Sequence, residues 1–430
     1  MPGYTIMTTE REQKILELVR RYRERLEREW PEGKRNVEQI EEIVGRVERE
    51  THHELTETWI QEQTGKREGN RAACPTCRAA AAYSRQVETE LVTAYGRVRA
   101  ARAYFYCRSC RQGFCPQDRA WGIGPGETTP TVQSLTGYLG VKDSYVGVPA
   151  TLARVRPQVH LGTKTIELIA QELGGRVPAA RPQITERASR PLAALVDGTM
   201  LPVRGGNKEV RCGVVYEPDW EAGRQPNECR ALRKEYFATL ESKEAVMRQV
   251  CAAIERRRPS LATRVAALAD GDPNWWRLYA ACLPNREEIL DFYHVTEHLG
   301  ALARVRFADP AAGQKWREER KQSLLLSGPE LLLADLEKWE PRTAAAREFR
   351  ERELGYFRTN RSRMDYPRYL REGWPIGSGA VEGACRHLVG DRFKGTGMRW
   401  KVATAEPLLQ LRAAVLTAPD LDLRRYAYAT

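Results

Sequence analysis

A chain of 430 residues, 42% hydrophobic and 8% aromatic, can bury several cores and has the length of two to four ordinary domains. Its 69 Lys and Arg against 57 Asp and Glu give a formal charge of +12, which favours a polyanionic partner, nucleic acid being the natural candidate. No apolar run reaches the ~18 residues of a membrane span, and the opening MPGYTIMTTEREQKILELVRRYRERLEREW is highly charged where a signal peptide would be apolar, so a cytosolic protein without a membrane partner is expected. In that reducing compartment the 10 cysteines are not expected to form disulfides. Clustered ones read as metal ligands, and Cys212, Cys229, Cys251, Cys282 and Cys385 as buried apolar residues.

From Thr9 to about Gln63, Ile15, Leu16, Val19, Leu26, Ile40, Ile43 and Val44 recur at helical spacing within a strongly charged sequence. Residues 1–70 are therefore predicted as paired helices, either a hairpin packed on its own chain or an oligomerising coil. A zinc-ribbon-like domain is predicted over 71–125. Its CPTC at Cys74–Cys77 and CRSC at Cys107–Cys110 flank ETELVTAYGRVRAARAYFYC, which alternates as a β-hairpin about Gly96. Four thiolates on two such turns suit tetrahedral Zn²⁺ at about 2.3 Å, a closed and hence structural site. A pair of redox dithiols would want a surrounding βαβ pattern that is missing here. Cys115 follows closely and could replace one of these ligands or be a spare thiol, the second reading being preferred.

Residues 126–180 form a predicted helical module broken at Gly140, Gly147 and Gly162. Pro149 opens ATLARVRPQV, and TKTIELIAQEL then places Ile166, Ile169, Ala170 and Leu173 on one face. As a helix-turn-helix-like unit it would direct Lys164 and Thr165 at the major groove; as a plain packing module it would not. RVPAARPQITERASRP reads as a linker.

Strands follow. PLAALVD is a short apolar run ending in Asp197, VRCGVVY and RKEYFATL are the second and third strands, and SKEAVMRQVCAAIERRR is a helix capped by Ser242 with Val246, Val250 and Ile254 inward. TRVAALAD is a fourth strand ending in Asp270, and EEILDFYHV a fifth after a short helix. Residues 296–371, with clusters such as LLLSGPELLLADLEKW, are predicted as an all-helical insertion before WPIGSGAVEGACRHLVGDRFKGTGMRW and a last apolar helix, AEPLLQLRAAVLTA.

Asp197 and Asp270 thus stand at the carboxyl ends of strands, where open α/β sheets gather their binding groups. Glu382 falls in a predicted helix after the Gly377 and Gly379 turn. Three such carboxylates are the ligand type for two Mg²⁺ or Mn²⁺ ions ~3.5–4 Å apart. Beyond Glu382, Arg386, Arg392, Lys394, Arg399 and Lys401 are interleaved with Phe393 and Trp400 around glycines, a mixture suited to phosphates and stacked bases. Arg386 would share the face of Glu382.

LVDGTM, ALADGDPNWW, ILDFYHVTEHL and GSGAVEGACRHLVGDRFKGTGMRW resemble successive blocks of the ISKra-type insertion-sequence transposases, and YCRSCRQGFCPQDRAWGIGPG is similar to the zinc-knuckle region of that family. The resemblance implies a ribonuclease-H-like α/β catalytic domain over 190–295 and 372–430, with a DDE triad of Asp197, Asp270 and Glu382 as the Mg²⁺ ligands. The fold class expected is therefore multidomain α+β. The activity it implies is metal-dependent cleavage and transfer of DNA strands, with the terminal repeats of the element and target DNA as partners. It also implies a homodimer or higher assembly on DNA in a bacterial, nucleoid-associated setting. ADGDPNWW departs from the family pattern in carrying Asp272 two residues after Asp270; Asp270 is preferred because it directly ends the strand. His294 could contact the scissile phosphate or orient a ligand, or be a structural residue at a strand end, and Asp291 has the same standing. A DNA-binding regulator that has kept the fold and lost strand transfer is the alternative; a zinc-ribbon scaffold for RNA or protein would leave the strand-end aspartates without purpose.

Overall fold

Charge pairing across two helices opens the chain. In α1 (Glu10–Glu29) and α2 (Val37–Thr64), Lys14 meets Glu62 at 2.9 Å, Arg25 meets Glu54 at 2.7 Å and Arg46 meets Glu29 at 2.5 Å, so the helices run antiparallel as a hairpin. The expected apolar face is only partly used: Leu18 and Val47 are buried, while Ile15, Leu16, Val19, Ile40 and Val44 remain exposed. The computed structural model describes residues 10–30, 32–64, 69–220, 229–258, 260, 263–377 and 385–428. Two compact units result, Met1–Leu173 with Asp422–Thr430, and Gly174–Leu421.

In the first unit, β1 (Arg71–Ala73), β2 (Ala80–Thr93), β3 (Gly96–Cys107) and β4 (Gln112–Phe114) form an antiparallel sheet in chain order. The central hairpin turns at Ala94–Tyr95, where Gly96 takes a φ of 110° that favours glycine. Leu91, Val98 and Ala100 pack with Ile60 of α2 and with Trp121 and Ile123. A short α3 (Pro116–Ala120) leads to α4 (Pro130–Lys142), α5 (Val148–Val155) and α6 (Thr163–Arg176). Ile166, Ile169, Ala170 and Leu173 are all fully buried, as their spacing predicts. One boundary is corrected: the turn Leu423–Tyr426, assigned by sequence to the catalytic domain, packs on α4 through buried Leu423 and Tyr426.

The second unit is built on five strands, β5 (Leu192–Val203), β6 (Gly206–Asp219), β7 (Arg230–Thr239), β8 (Val265–Ala269) and β9 (Arg286–Leu290), ordered β7-β6-β5-β8-β9. β5, β6 and β7 pair antiparallel, whereas β5, β8 and β9 pair parallel. Leu192–Val196 and Val265–Ala269 are buried throughout, as continuous apolar runs in central parallel strands should be. α7 (Lys243–Arg257) packs on β6 and β7, with Ser242 capping it through Ala245 N. α8 (Pro273–Cys282) lies beside α7, and this packing joins Cys251 to Cys282 in a disulfide, against the expectation that neither would pair.

Two further expectations are corrected. β5 continues to Val203 instead of ending at Asp197, because its hairpin with β6 extends the ladder from Ala193↔Tyr216 to Val203↔Gly206. The fifth strand stops at Leu290, because the Asp291 side chain accepts hydrogen bonds from Tyr293 N and His294 N and so caps a helix, α9 (Phe292–Arg306). The predicted insertion is helical: α10 (Pro310–Ser327), α11 (Glu330–Lys338), α12 (Ala344–Thr359) and α13 (Tyr366–Arg371) follow. α14 (Val402–Thr417) then packs on β7.

Candidate active site and metal centre

Parallel pairing of β5 with β8 brings two aspartates to one place. Asp197 in β5, Asp270 just after β8 and Asp291 just after β9 line a single cavity of about 200 Å³ with Tyr293, His294 and Glu297. Backbone bonds hold this end of the sheet together, Asp291 N donating to Ala269 O at 3.0 Å and Phe292 N to Ile376 O at 2.9 Å. Asp197 accepts from Gly198 N at 2.6 Å and from the Cys385 thiol at 3.3 Å. Asp272 turns away: it caps α8 through Asn274 N and pairs with Lys243. Asp270 is thus the residue at the cavity, in keeping with the preference drawn from the strand end.

Burial raises the Asp197 carboxyl above the usual range, and the nearby charge of Asp270 adds to this against the opposing bonds from Cys385 and Gly198. Burial also pushes Asp291 up to about 7, although the N–H groups of Tyr293 and His294 oppose it. Desolvation and like charge thus disfavour the ionised form of these carboxylates where no cation faces them. Among the described residues the aspartates are not drawn to ligand spacing; the four cysteines are the one set of three or more His, Cys, Asp or Glu with donor atoms all within 4.8 Å of one another. Glu382 lies outside the described residues.

A pH dependence follows from Asp291. Between about 4 and 7 the native carboxyl still holds a proton that the unfolded chain has lost, so the stability of metal-free protein falls as pH rises through this window. Denaturant melts across that range should show the decline, and Asp291→Asn, which keeps a capping oxygen, should flatten it.

Groups that sequence reasoning passed over come from the insertion. Tyr356 of α12 donates its hydroxyl proton to Asp270 O at 2.8 Å, and this close approach requires Gly271, whose φ is 99° and whose added Cβ would lie 2.7 Å from the Tyr356 ring. Glu353, one turn earlier, meets His298 Nδ1 at 2.5 Å, and His298 Nε2 lies 3.2 Å from His294 Nε2. His298 also stacks on Tyr356 with ring centres 4.2 Å apart. His294 is therefore a first-turn helix residue at the cavity, not a residue at a strand end. The one signal in the sequence was the i,i+3 spacing of Glu353 and Tyr356, which by itself indicates only a shared helix face.

In the first unit the four predicted zinc ligands meet. Cys74 and Cys110 sulfurs are 3.4 Å apart, and Cys77 and Cys107 sulfurs 3.5 Å. Both turns are made alike, each followed by a left-handed residue, Arg78 at φ 61° and Arg111 at φ 56°. Backbone N–H groups, chiefly that of Cys77, lower the Cys74 thiol to about 6, and that of Cys110 lowers Cys107. Cys110 is pushed up to about 12, chiefly by its contact with Cys74, and Cys77 is raised too, its backbone bond from Ala79 being outweighed by the Cys107 contact, so two thiols are lowered and two raised in a cluster that can hold a zinc ion. Cys115 is outside the cluster, its thiol raised by burial.

The candidate DNA contacts divide. Lys394, Arg399, Lys401 and Arg386 are exposed, with Lys394 Nζ 2.6 Å from Thr199 Oγ1 and Arg386 3.6 Å from Asp391. Arg392 and Trp400 are corrected: both are buried, the guanidinium over the indole at 5.2 Å and Trp400 Nε1 donating to Phe393 O, so they serve packing and offer no surface to a base or phosphate. Lys164 is exposed and pairs with Glu167 at 2.9 Å, whereas Thr165 is half-buried against Gly126.

No family model matches the chain, and no curated protein matches it by sequence. Among the described residues no helix is long and apolar enough to cross a membrane.

Proposed function

We propose that this chain is a DDE-type DNA transposase whose second unit cuts and joins DNA strands. The observation that carries the reading is that Asp197 and Asp270, from the adjacent parallel strands β5 and β8, open on one cavity. The β-β-β-α-β-α-β succession and the order β7-β6-β5-β8-β9 support a ribonuclease-H-like assignment, and the resemblance of LVDGTM, ALADGDPNWW and ILDFYHVTEHL to the ISKra-type blocks supports the chemistry. Asp197 and Asp270 would hold Mg²⁺ or Mn²⁺ together with Glu382, the third member that the resemblance to the ISKra-type blocks implies. Two such ions activate the attacking oxygen and stabilise the leaving oxygen of a phosphodiester.

The chain's own groups then have separate tasks. Asp291 anchors the first turn of α9 and so fixes His294 at the cavity. Exposed Lys394, Arg399 and Lys401 would take phosphates, and the four-cysteine sheet with α4–α6 would recognise element ends. The full-length protein is expected to nick and join its own terminal DNA in Mg²⁺ or Mn²⁺ and to do neither in chelator. A protein that binds these ends and never cuts them would sink the transposase reading and leave the regulator in its place.

A further inference from the structure

We propose that Glu353, acting through His298, is a positioning residue that fixes the tautomer of His294 at the acidic cavity. Its place in the chemistry rests on the strand-transfer reading; the hydrogen-bond order does not.

The argument runs inward from a buried carboxylate. Glu353 is 4% exposed. Burial acts to raise its carboxyl, but the His298 and Arg352 contacts outweigh that and hold it below the usual value. An ionised carboxylate only accepts, so the 2.5 Å contact puts a proton on His298 Nδ1. In its neutral form His298 then carries a lone pair on Nε2. That nitrogen lies 3.2 Å from His294 Nε2, and two imidazole nitrogens at this distance are held by a single shared proton, which His294 must supply. His294 is left with its lone pair on Nδ1, the nitrogen 3.4 Å from Glu297, and both residues line the cavity with Asp197, Asp270 and Asp291.

Tyr356 reinforces the order. Stacked on His298 and bonded to Asp270 O, it keeps the His298 ring from turning while tying α12 to the end of β8. The insertion therefore supplies the second layer of the site: a hydroxyl entering the cavity meets an acceptor nitrogen of fixed identity instead of a ring free to present either edge.

Full-length protein labelled with ¹⁵N-histidine, without metal or DNA, tests the inference by long-range ¹H–¹⁵N correlation spectra. His298 is expected as the Nδ1–H tautomer and His294 as the Nε2–H tautomer. Glu353→Gln, whose carbonyl oxygen still accepts, should keep both; Glu353→Ala should release His294 to a mixture. An Nε2–H tautomer or a doubly protonated ring at His298 in the wild type overturns the inference, and so does a His294 signal unchanged in folded Glu353→Ala. Where the wild type cuts DNA, Glu353→Ala should slow cleavage about tenfold or more at unchanged DNA affinity, with Glu353→Gln restoring most of the rate. Spectra as expected from a protein that never cuts would retain the tautomer order while rejecting the transposase reading.

Discussion

Asp197→Ala and Asp270→Ala are each expected to lower strand cleavage by about 10³-fold or more while DNA binding survives, as removal of one member of a cooperating catalytic set does. The two carboxylates line one cavity, and the proposed reading needs both as ligands. Stability should move the opposite way from activity. The Asp197 carboxyl is raised by burial and by the charge of Asp270, which means its ionised form is disfavoured in the folded, metal-free protein. Truncating it removes that disfavoured charge, so the melting temperature in chelator should hold or rise for Asp197→Ala even as cutting is lost. Gel assays of cleavage and joining, run beside thermal melts and binding titrations, measure all three. Cleavage at wild-type rates by either variant would remove the metal-ligand assignment.

Losing zinc should have the largest effect on the first unit. The buried core at the cysteine end of the sheet consists of Cys74, Ala81, Phe105 and Cys107, with Ala72, Ala79, Tyr83, Ala103, Cys110 and Phe114 partly buried around it. So few large apolar groups cannot hold a sheet together, and small domains of this kind depend on a metal or disulfides. Zinc binding contributes about 10–16 kcal/mol in isolated finger peptides, so even a fraction of that loss should lower the first unit's melting temperature by about 10 °C or more. Cys107→Ser should abolish bound zinc by elemental analysis and produce this shift. Cys115→Ser should change neither, because Cys115 stands outside the cluster. Full zinc content in Cys107→Ser would show that the metal sits elsewhere.

Local pattern accounts for most of what the sequence revealed. The paired Cys-x-x-Cys turns, the buried face Ile166, Ile169, Ala170 and Leu173, and the succession of five strands around α7 and α8 all rest on spacings within a single element. What it concealed depends on partners distant in the chain. Nothing in PLAALVDGTMLPV marks where the strand stops, since its end is set by pairing with β6. EEILDFYHV hides a strand-to-helix junction because one Asp291 side chain, and no change in hydrophobicity, makes the cap. Arg392 and Trp400 have the composition of a DNA contact, and only tertiary packing shows that they cover each other. Cys251 and Cys282 sit on helices whose adjacency no spacing announces. The acidic site was half legible: Asp197 and Asp270 follow from apolar runs, whereas Glu353 and Tyr356 reach it from a segment that reads only as leucine-rich and charged helix.

The continuation of β5 past Asp197 sets a length scale. At its tip the chain is stitched to the basic block, Trp400 N donating to Pro202 O at 3.1 Å and Arg204 N to Trp400 O at 2.9 Å, while Lys394 is fastened to Thr199 near the cavity. From Asp197 to Val203 an extended strand covers roughly 20 Å, which is about six base-pair steps of duplex. The strand is thus a ruler: it holds the charges of Arg399 and Lys401 at a fixed reach from the aspartates of the cavity, so that on the proposed reading the grip on a DNA backbone and its breakage would be set by one piece of sheet.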